Sequence, residues 1–136
     1  MACIIDTSVL VELERQGLTW RGFVEGDLSG EPVAIAAITA SELLTGILRA
    51  EPGARRFSRE RYVEDLLENI SVFAFDLDAA RVHANLWLLL SNAGQRIGPN
   101  DLQIGATAVA TGYDVLTLNV REFQRIPDLG VRQPSL

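Results

Sequence analysis

Three acidic residues occupy comparable places along the chain. Asp6 ends an apolar run, and Glu42 and Asp101 lie near the starts of two predicted helices. Carboxylates gathered in one place repel one another and raise each other's pKa values, and a bound cation removes that penalty. Oxygen ligands suit Mg²⁺ or Mn²⁺, whereas zinc prefers His and Cys. Each acid alone is also explained by a favourable position at a helix N-terminus, but the three together predict a divalent-cation site.

The chain offers no good covalent nucleophile. All twelve basic residues are arginine, which excludes a P-loop lysine, a Schiff base and a lysine general base. The one histidine, His83, lies in the middle of a predicted helix, where a pair with Ser8 or Ser41 is conceivable but a packing or surface role is more usual. Water activated by a metal is the better nucleophile, with Glu42 as a metal ligand or as the base that orients the water. Ser8 or Thr117 would hydrogen-bond the carboxylates or the metal waters.

An alternation of short strands and helices positions these side chains. Apolar runs predict strands at 2–5, 33–36, 71–75 and 114–118. Helices are predicted at 6–15, 20–27, 55–69 and 99–112, with two more opening at Thr39 or Ser41 and at Asp76 or Asp78. This alternation is typical of a parallel sheet covered on both faces, and the carboxyl ends of its strands share one edge. The three acids are therefore expected to converge at that edge.

The local sequence around the acids adds detail. Glu42 is predicted in the first turn of its helix. Asn100 is available as the N-cap of the helix that Pro99 starts, which leaves Asp101 free to join a site. Asn119 follows the fourth strand and is expected to reach the same edge, with only a short turn and a loose tail after it. The helix after Asp78 is expected to bury Val82, Leu86, Leu89 and Leu90.

Length and composition indicate one compact domain over residues 1–136. Hydrophobic residues make up 48% of the chain and charged residues 22%, which is ordinary for a globular protein. No apolar stretch is long enough to span a membrane. A single cysteine, Cys3, fits a reducing cytoplasm. The net charge of −6 argues against nucleic-acid binding over the whole surface and leaves room for a local site.

Four motifs, in order, cover nearly the whole chain. They are Ile4-Ile5-Asp6-Thr7-Ser8, then Thr39-Ala40-Ser41-Glu42-Leu43 with Gly46, then residues 97–106 around Pro99-Asn100-Asp101, and finally residues 116–123 with Ile126-Pro127-Asp128-Leu129. This ordered set resembles the PIN-domain ribonucleases and, within them, the VapC-type toxins of type II toxin–antitoxin systems. Any one motif is weakly specific, whereas the ordered set is strongly so.

The resemblance implies a three-layer α/β/α fold with a central, mainly parallel sheet of four or five strands. It also implies an endoribonuclease that uses Mg²⁺ or Mn²⁺, with Asp6, Glu42 and Asp101 at the acidic, metal-binding positions. Relatives often carry an acid at the fourth catalytic position, where this chain has Asn119. Whether Asn119 or Glu122 completes the site, and whether one metal or two bind, stays open.

The resemblance further implies an RNA substrate and a cognate antitoxin. The densest basic segment, which either meets the RNA or forms a solvated helix face, comprises Arg49, Arg55, Arg56, Arg59 and Arg61. An antitoxin helix is expected to lie between the amphipathic segments 43–48 and 62–67 and to send an arginine into the acidic pocket. Trp20, Phe23 and Phe57 are candidate interface aromatics. A homodimer is expected through residues 86–90 and 99–112.

Three other interpretations compete with this one. The first is a PIN-fold RNA-processing nuclease without an antitoxin, and the second is a non-catalytic interaction protein of the same fold. The third is a phosphoacceptor domain of the receiver or haloacid-dehalogenase type, which also places aspartates at parallel strand ends. Both phosphoacceptor patterns require a lysine, and this chain has none.

Overall fold

Five short strands form the centre of the molecule. The computed structural model describes residues 1–136, and its strands are β1 (Cys3–Ile5), β2 (Val33–Ala36), β3 (Ser71–Phe73), β4 (Asp114–Leu116) and β5 (Val131–Arg132). They form one sheet in the order β3-β2-β1-β4-β5, and every neighbouring pair is parallel. Since β1 lies in the middle of the sheet, Asp6, the residue that follows it, lies at the centre of the carboxyl edge.

Seven helices surround the sheet. They are α1 (Thr7–Arg15), α2 (Trp20–Gly26), α3 (Ala37–Arg49), α4 (Ala54–Asn69), α5 (Leu77–Asn92), α6 (Pro99–Thr111) and α7 (Val120–Phe123). Asp76 caps α5 by accepting from the backbone N–H of Ala79 at 2.9 Å, and Gly112 ends α6 in the left-handed conformation at φ 77°. None of these helices is long and apolar enough to cross a membrane.

Two hydrophobic cores cover the two faces of the sheet. Successive side chains of a strand point to opposite faces, so Ile5 joins one core and Ile4 the other. The first core takes its residues mainly from α1 to α4, and the second takes them from α5, α6 and the segment around Phe123. This arrangement confirms the predicted three-layer α/β/α fold with a parallel sheet.

Several predicted boundaries and burials are wrong. The third and fourth strands end at Phe73 and Leu116, and the tail predicted to be loose forms α7 and β5. A side chain can lie on the helical stripe and still face outward when no element covers it, and Leu89 is accordingly 50% exposed. Trp20 and Phe23, expected at an interface, are buried core residues.

The start of α3 also differs from the prediction. Neither Thr39 nor Ser41 opens it; β2 runs directly into the helix at Ala37, and no side chain caps its first turn. Thr39 is fully buried inside the helix instead. Glu42 consequently lies in the second turn of α3, one turn deeper than the sequence predicts.

One arginine and two carboxylates, here called the arginine cluster, link the last strand, β5, to two other segments of the chain. Arg132 binds both carboxylate oxygens of Glu31, at 2.7 and 3.2 Å, and its Nε lies 3.4 Å from Asp114. Asp114 begins β4 and Glu31 precedes β2, so this cluster joins three segments near the amino ends of the strands. The Arg132 guanidinium holds the pKa of Glu31 below its usual value of 4.5, chiefly by hydrogen bonding.

Candidate active site

Asp6 is placed by the end of β1 and the start of α1. It is only 3% exposed, and its side chain makes no capping bond to the helix. Oδ2 accepts instead from the hydroxyls of Ser8 at 2.6 Å and Thr117 at 2.7 Å. Oδ1 has no donor from the protein. One oxygen of a buried carboxylate is thus held by two hydroxyls, and the other is available to a ligand.

Asp101 lies in the first turn of α6 and is connected to Asp6 through the end of β4. The amide of Asn119 donates to Asp101 Oδ2 at 3.1 Å, and the backbone N–H of Asn119 donates to the Thr117 hydroxyl at 2.8 Å. That hydroxyl is the one bonded to Asp6. Asn119 therefore reaches the edge where the sequence places it, and it presents its amide nitrogen to Asp101.

The surroundings of Asp101 disfavour its charge. Its pKa is raised from 3.8 to about 6, first by burial and next by the negative charge of Asp6. Asn119 opposes this shift by donating a hydrogen bond, while Glu122 adds to it. In the absence of a cation, Asp6 and Asp101 compete for the same small volume as like charges.

Glu42 approaches the same edge from the second turn of α3. Its Oε1 accepts from the hydroxyl of Thr7 at 2.7 Å, and its Oε2 accepts from the side-chain amide of Asn100 at 3.3 Å. The buried hydroxyl of Thr39 lies 3.0 Å from that of Thr7. The prediction that Asn100 caps α6 is wrong, because Gly98 is the N-cap residue and the Asn100 side chain turns to Glu42.

The three predicted acids lie in one hydrogen-bonded region. Asp6 and Asp101 are linked through Thr117 and Asn119, and Asn100 links Glu42 to the residue next to it, Asp101. No group of three or more His, Cys, Asp or Glu side chains has the spacing of a metal site. Asp6 and Asp101 are the pair whose charges interact, and Glu42 is joined to neither of them by a hydrogen bond.

The donor set at this edge fits a hard divalent cation. Asp6 and Asp101 supply carboxylate oxygens, no sulfur or imidazole is present, and the hydroxyls of Ser8 and Thr117 fix the Asp6 carboxylate. The raised pKa of Asp101 shows a pair of acids that a positive charge would stabilise. His83 takes no part, because its ring packs edge-on against Phe75 with centroids 5.5 Å apart, and no hydrogen bond joins it to Ser8 or Ser41.

Sequence reasoning did not identify Thr7 and Asn100 as the partners of Glu42. The available signal was the hydroxyl directly after Asp6, at the start of a helix on the site edge. It is a weak signal, because the same position is also ordinary for a helix start.

Two cavities flank Glu42. One, of about 110 Å³, lies between α1, α3 and α4 and has an apolar lining that includes Leu10, Leu43 and Val63. Glu14 and Arg59 also line it, and they form an ion pair at 2.9 Å. The other, of about 270 Å³, lies between α3 and the start of α6 and is lined mainly by polar groups. Gly46 borders both cavities one helical turn after Glu42.

Known proteins resemble this chain in sequence and in structure. Residues 3–129 match the PIN domain. A protein of Rickettsia bellii named Ribonuclease VapC is 33% identical over 96% of this chain and 95% of its own length. The structure of VapBC-1 from nontypeable Haemophilus influenzae superposes with a TM-score of 0.84 at 25% identity, covering 98% of both chains. That of VapBC2 from Rickettsia felis bound to promoter DNA has a TM-score of 0.86 at 23% identity, covering 99% of this chain and all of the other, and shows the shared fold.

Proposed function

The chain belongs to the PIN-domain family and, within it, to the VapC ribonucleases, and from this membership we propose that it is the toxin of a toxin–antitoxin pair and cleaves RNA. The names of the relatives indicate the class of reaction, which is RNA cleavage. The acidic edge is the part of this chain where we propose that the reaction occurs. We further propose that it uses a divalent metal, that it binds an antitoxin and a second copy of the chain, and that it meets the RNA in the cytoplasm.

The observation that carries the chemical proposal is the pair of Asp6 and Asp101. The buried carboxylate of Asp6 and the half-buried carboxylate of Asp101 face one region, and no ion pair joins either of them to a cationic side chain. In a structural cluster this charge would be matched by an arginine, as it is at Glu31. In a family of ribonucleases, a pair of carboxylates without a cationic partner is best explained as a binding site for Mg²⁺ or Mn²⁺.

A divalent cation, when bound there, lowers the pKa of water and offsets negative charge on a phosphate. Asp6 and Asp101 would hold it, with Asp6 fixed by Ser8 and Thr117. Glu42, anchored by Thr7 and Asn100, would orient the attacking water and accept its proton. Asn119 positions Asp101, and Glu122 adds negative charge beside Asp101.

The proposed antitoxin occupies the apolar cavity between α1, α3 and α4. Val11 on α1 lines it and is 54% exposed, and Leu44 and Leu48 on α3 and Phe57 on α4 are exposed on the helices that enclose it, at 37%, 71% and 61%. An amphipathic helix of the antitoxin would cover these side chains, and an arginine from it would pair with the acidic edge in place of the metal. The proposed homodimer uses α5, where Trp87, Leu88 and Leu89 are all at least half exposed.

The test of the nuclease is cleavage of total RNA by the purified protein with Mg²⁺, with Mn²⁺ and with EDTA. Cleavage is expected with either metal and none with EDTA, and Asp101→Ala is expected to abolish it while the circular-dichroism spectrum stays that of a folded protein. Undiminished cleavage in EDTA by a sample free of contaminants would refute the metal-dependent mechanism.

The partners are tested by light scattering on the protein alone and after co-expression with the product of the neighbouring gene. A dimer that forms a larger complex with that product is expected. A monomer that ignores the product at micromolar concentration would refute both partners and leave the nuclease untouched. It would favour the alternative of an RNA-processing enzyme without an antitoxin.

A further inference from the structure

The polar cavity beside Glu42 differs in its lining from the apolar cavity on the other side of that residue. Ser41, Thr45 and Arg49 line it from α3, and Asn100 lines it from the start of α6. The three α3 residues are spaced four apart, so they form one stripe along the helix. Neither hydroxyl makes a hydrogen bond within the protein, and Arg49 makes no ion pair. The cavity thus presents free donors next to a site residue.

Arg49 is one of the eight arginines that make no ion pair, and it is the one that lines this cavity. Arg59 is paired with Glu14, Arg21 with Asp65, and Arg132 with Glu31, each at 3.2 Å or less. Arg49 shares a cavity with Glu42 and has no carboxylate partner. In a chain of net charge −6 with an acidic reaction edge, an unpaired guanidinium in a cavity shared with Glu42 is a positive charge available to a polyanion.

The distance from the acids suits a neighbouring nucleotide. Arg49 is seven residues beyond Glu42, which is about 10 Å along the axis of α3. Its guanidinium therefore reaches a phosphate that flanks the scissile one, rather than the scissile phosphate at the acids. A planar guanidinium binds phosphate oxygens with two hydrogen bonds, and hydroxyls are suitable partners for phosphate and ribose oxygens.

We propose that this cavity, lined by Ser41, Thr45 and Arg49, binds the sugar-phosphate of a nucleotide adjacent to the cleaved bond of single-stranded RNA. The inference rests on the proposed nuclease function and adds a substrate-positioning site to it. Arg49 strengthens RNA binding and fixes the position of the bound strand, while Asp6, Glu42 and Asp101 carry out the reaction. The apolar cavity on the other side of Glu42 remains the place for the antitoxin, so Glu42 separates the two binding surfaces.

The test compares Arg49→Gln with Arg81→Gln. Arg81 is an exposed arginine on α5 that does not line the cavity, so its variant has the same change in net charge. For a fluorescent single-stranded RNA oligonucleotide that the wild type cleaves, Arg49→Gln is expected to raise KM about tenfold, the value of one charge-assisted contact, with kcat within about twofold. Arg81→Gln should leave both constants within about twofold of wild type.

Anisotropy measurements on the same RNA in EDTA give a readout that does not depend on cleavage. The slope of log affinity against log salt is expected to be shallower by about 0.7 for Arg49→Gln, because one phosphate contact is lost, and unchanged for Arg81→Gln. Thr45→Val should weaken binding less than Arg49→Gln does. Since Arg49 makes no ion pair, its variant should melt within a few degrees of wild type.

The possible results distinguish a failure of the proposed RNA-binding cavity from a failure of the proposed nuclease function. Cleavage with identical KM and salt slope in Arg49→Gln and Arg81→Gln would overturn the cavity and keep the nuclease. RNA binding that depends on Arg49 in a protein that never cleaves would keep the cavity and refute the nuclease. If Arg49→Gln weakens the complex with the neighbouring gene product and leaves RNA binding unchanged, the cavity belongs to a protein partner and the proposal is wrong.

Discussion

Two groups of carboxylates lie at opposite edges of the same sheet, and the protein treats them differently. Near the amino ends of the strands, Glu31 and Asp114 are bound to Arg132. At the carboxyl edge, Asp6 and Asp101 are bound only to hydroxyls and an amide. The pKa of Glu31 is lowered by its arginine, whereas the pKa of Asp101 is raised to about 6 by burial and by Asp6.

This difference separates a structural cluster from a site. In the first group the carboxylates are paired with a cationic side chain of the same chain, Arg132, which belongs to β5. The second group is held rigidly by neutral donors and is left short of positive charge, which only an external cation or an arginine from another protein can supply. Neutral donors fix the geometry of an acid without consuming its charge, so they are the appropriate supports for a metal ligand.

The largest effect is expected from Asp101→Asn, which removes the charge of one acid at the carboxyl edge. The change should lower RNA cleavage on the order of 10³-fold, because several kcal/mol of charge stabilisation depend on this edge. It should also raise the free energy of unfolding of the metal-free protein near neutral pH by about 1 kcal/mol, because a buried like charge is removed. Activity assays and chemical denaturation in EDTA measure the two effects, and a loss of both activity and stability would contradict the assignment.

The corresponding change at the other edge is Arg132→Gln. It leaves Glu31 and Asp114 without their partner, so we expect a loss of about 2–3 kcal/mol in the free energy of unfolding. Arg81→Gln, with the same charge change at an exposed position, should lose less than about 0.5 kcal/mol. Urea denaturation measures both variants. Equal stabilities would show that the arginine cluster does not hold the last strand.

The pH dependence of stability should have opposite signs at the two edges. The folded-state pKa of Asp101 is above its usual 3.8, so in metal-free protein its contribution falls as pH rises from about 4 to about 6. The folded-state pKa of Glu31 is below its usual 4.5, so its contribution is complete above that value and is lost as pH falls through the lowered pKa. Difference curves of wild type against Asp101→Asn and against Glu31→Gln, measured in EDTA, separate the two. Curves of the same sign would be the contrary result.

The smallest effect is expected from a change in the residue whose amide donates to Asp101. Asn119→Asp adds a charge beside Asp101 and removes the amide that stabilises it. We expect Mg²⁺ to bind about threefold to tenfold more tightly, since relatives often carry an acid there, and the metal-free protein to become less stable. Calorimetry with Mg²⁺ and melting with and without EDTA measure this. Unchanged or weaker affinity would argue that Asn119 does not line the metal site.

Much of the fold follows from the sequence because its elements are strongly patterned. Strand β2 covers the predicted residues 33–36, and α6 has the predicted Pro99 start and Gly112 stop. The start of α3 could not be predicted, because a helix that continues directly from a strand has no capping residue as a signal. The two residues of β5 are too few for a pattern, and no local pattern indicates that Arg132 binds Glu31, a residue 101 positions away.

The candidate site was predictable to the level of its elements. Parallel topology alone brings the segments of Asp6, Glu42 and Asp101 to one edge. The contacts within that edge depend on side-chain rotamers and on helix starts, which the sequence does not fix. The choice of Asn100 as a partner for Glu42 rather than as a cap is an example, because both uses satisfy the same side chain.

The central position of β1 has a consequence for how the protein is made. Of the five strands, β1 is synthesised first and lies in the middle of the sheet, and one of its two neighbours, β4, is synthesised after β2 and β3. One of the two hydroxyls that fix Asp6 belongs to Thr117, 111 positions later in the chain. A growing polypeptide on the ribosome therefore carries the first acid of the site long before it carries Thr117. Because such distant pairings form late, the acidic edge is assembled only after residues 117–119 have been translated, and a product truncated before them lacks the complete edge.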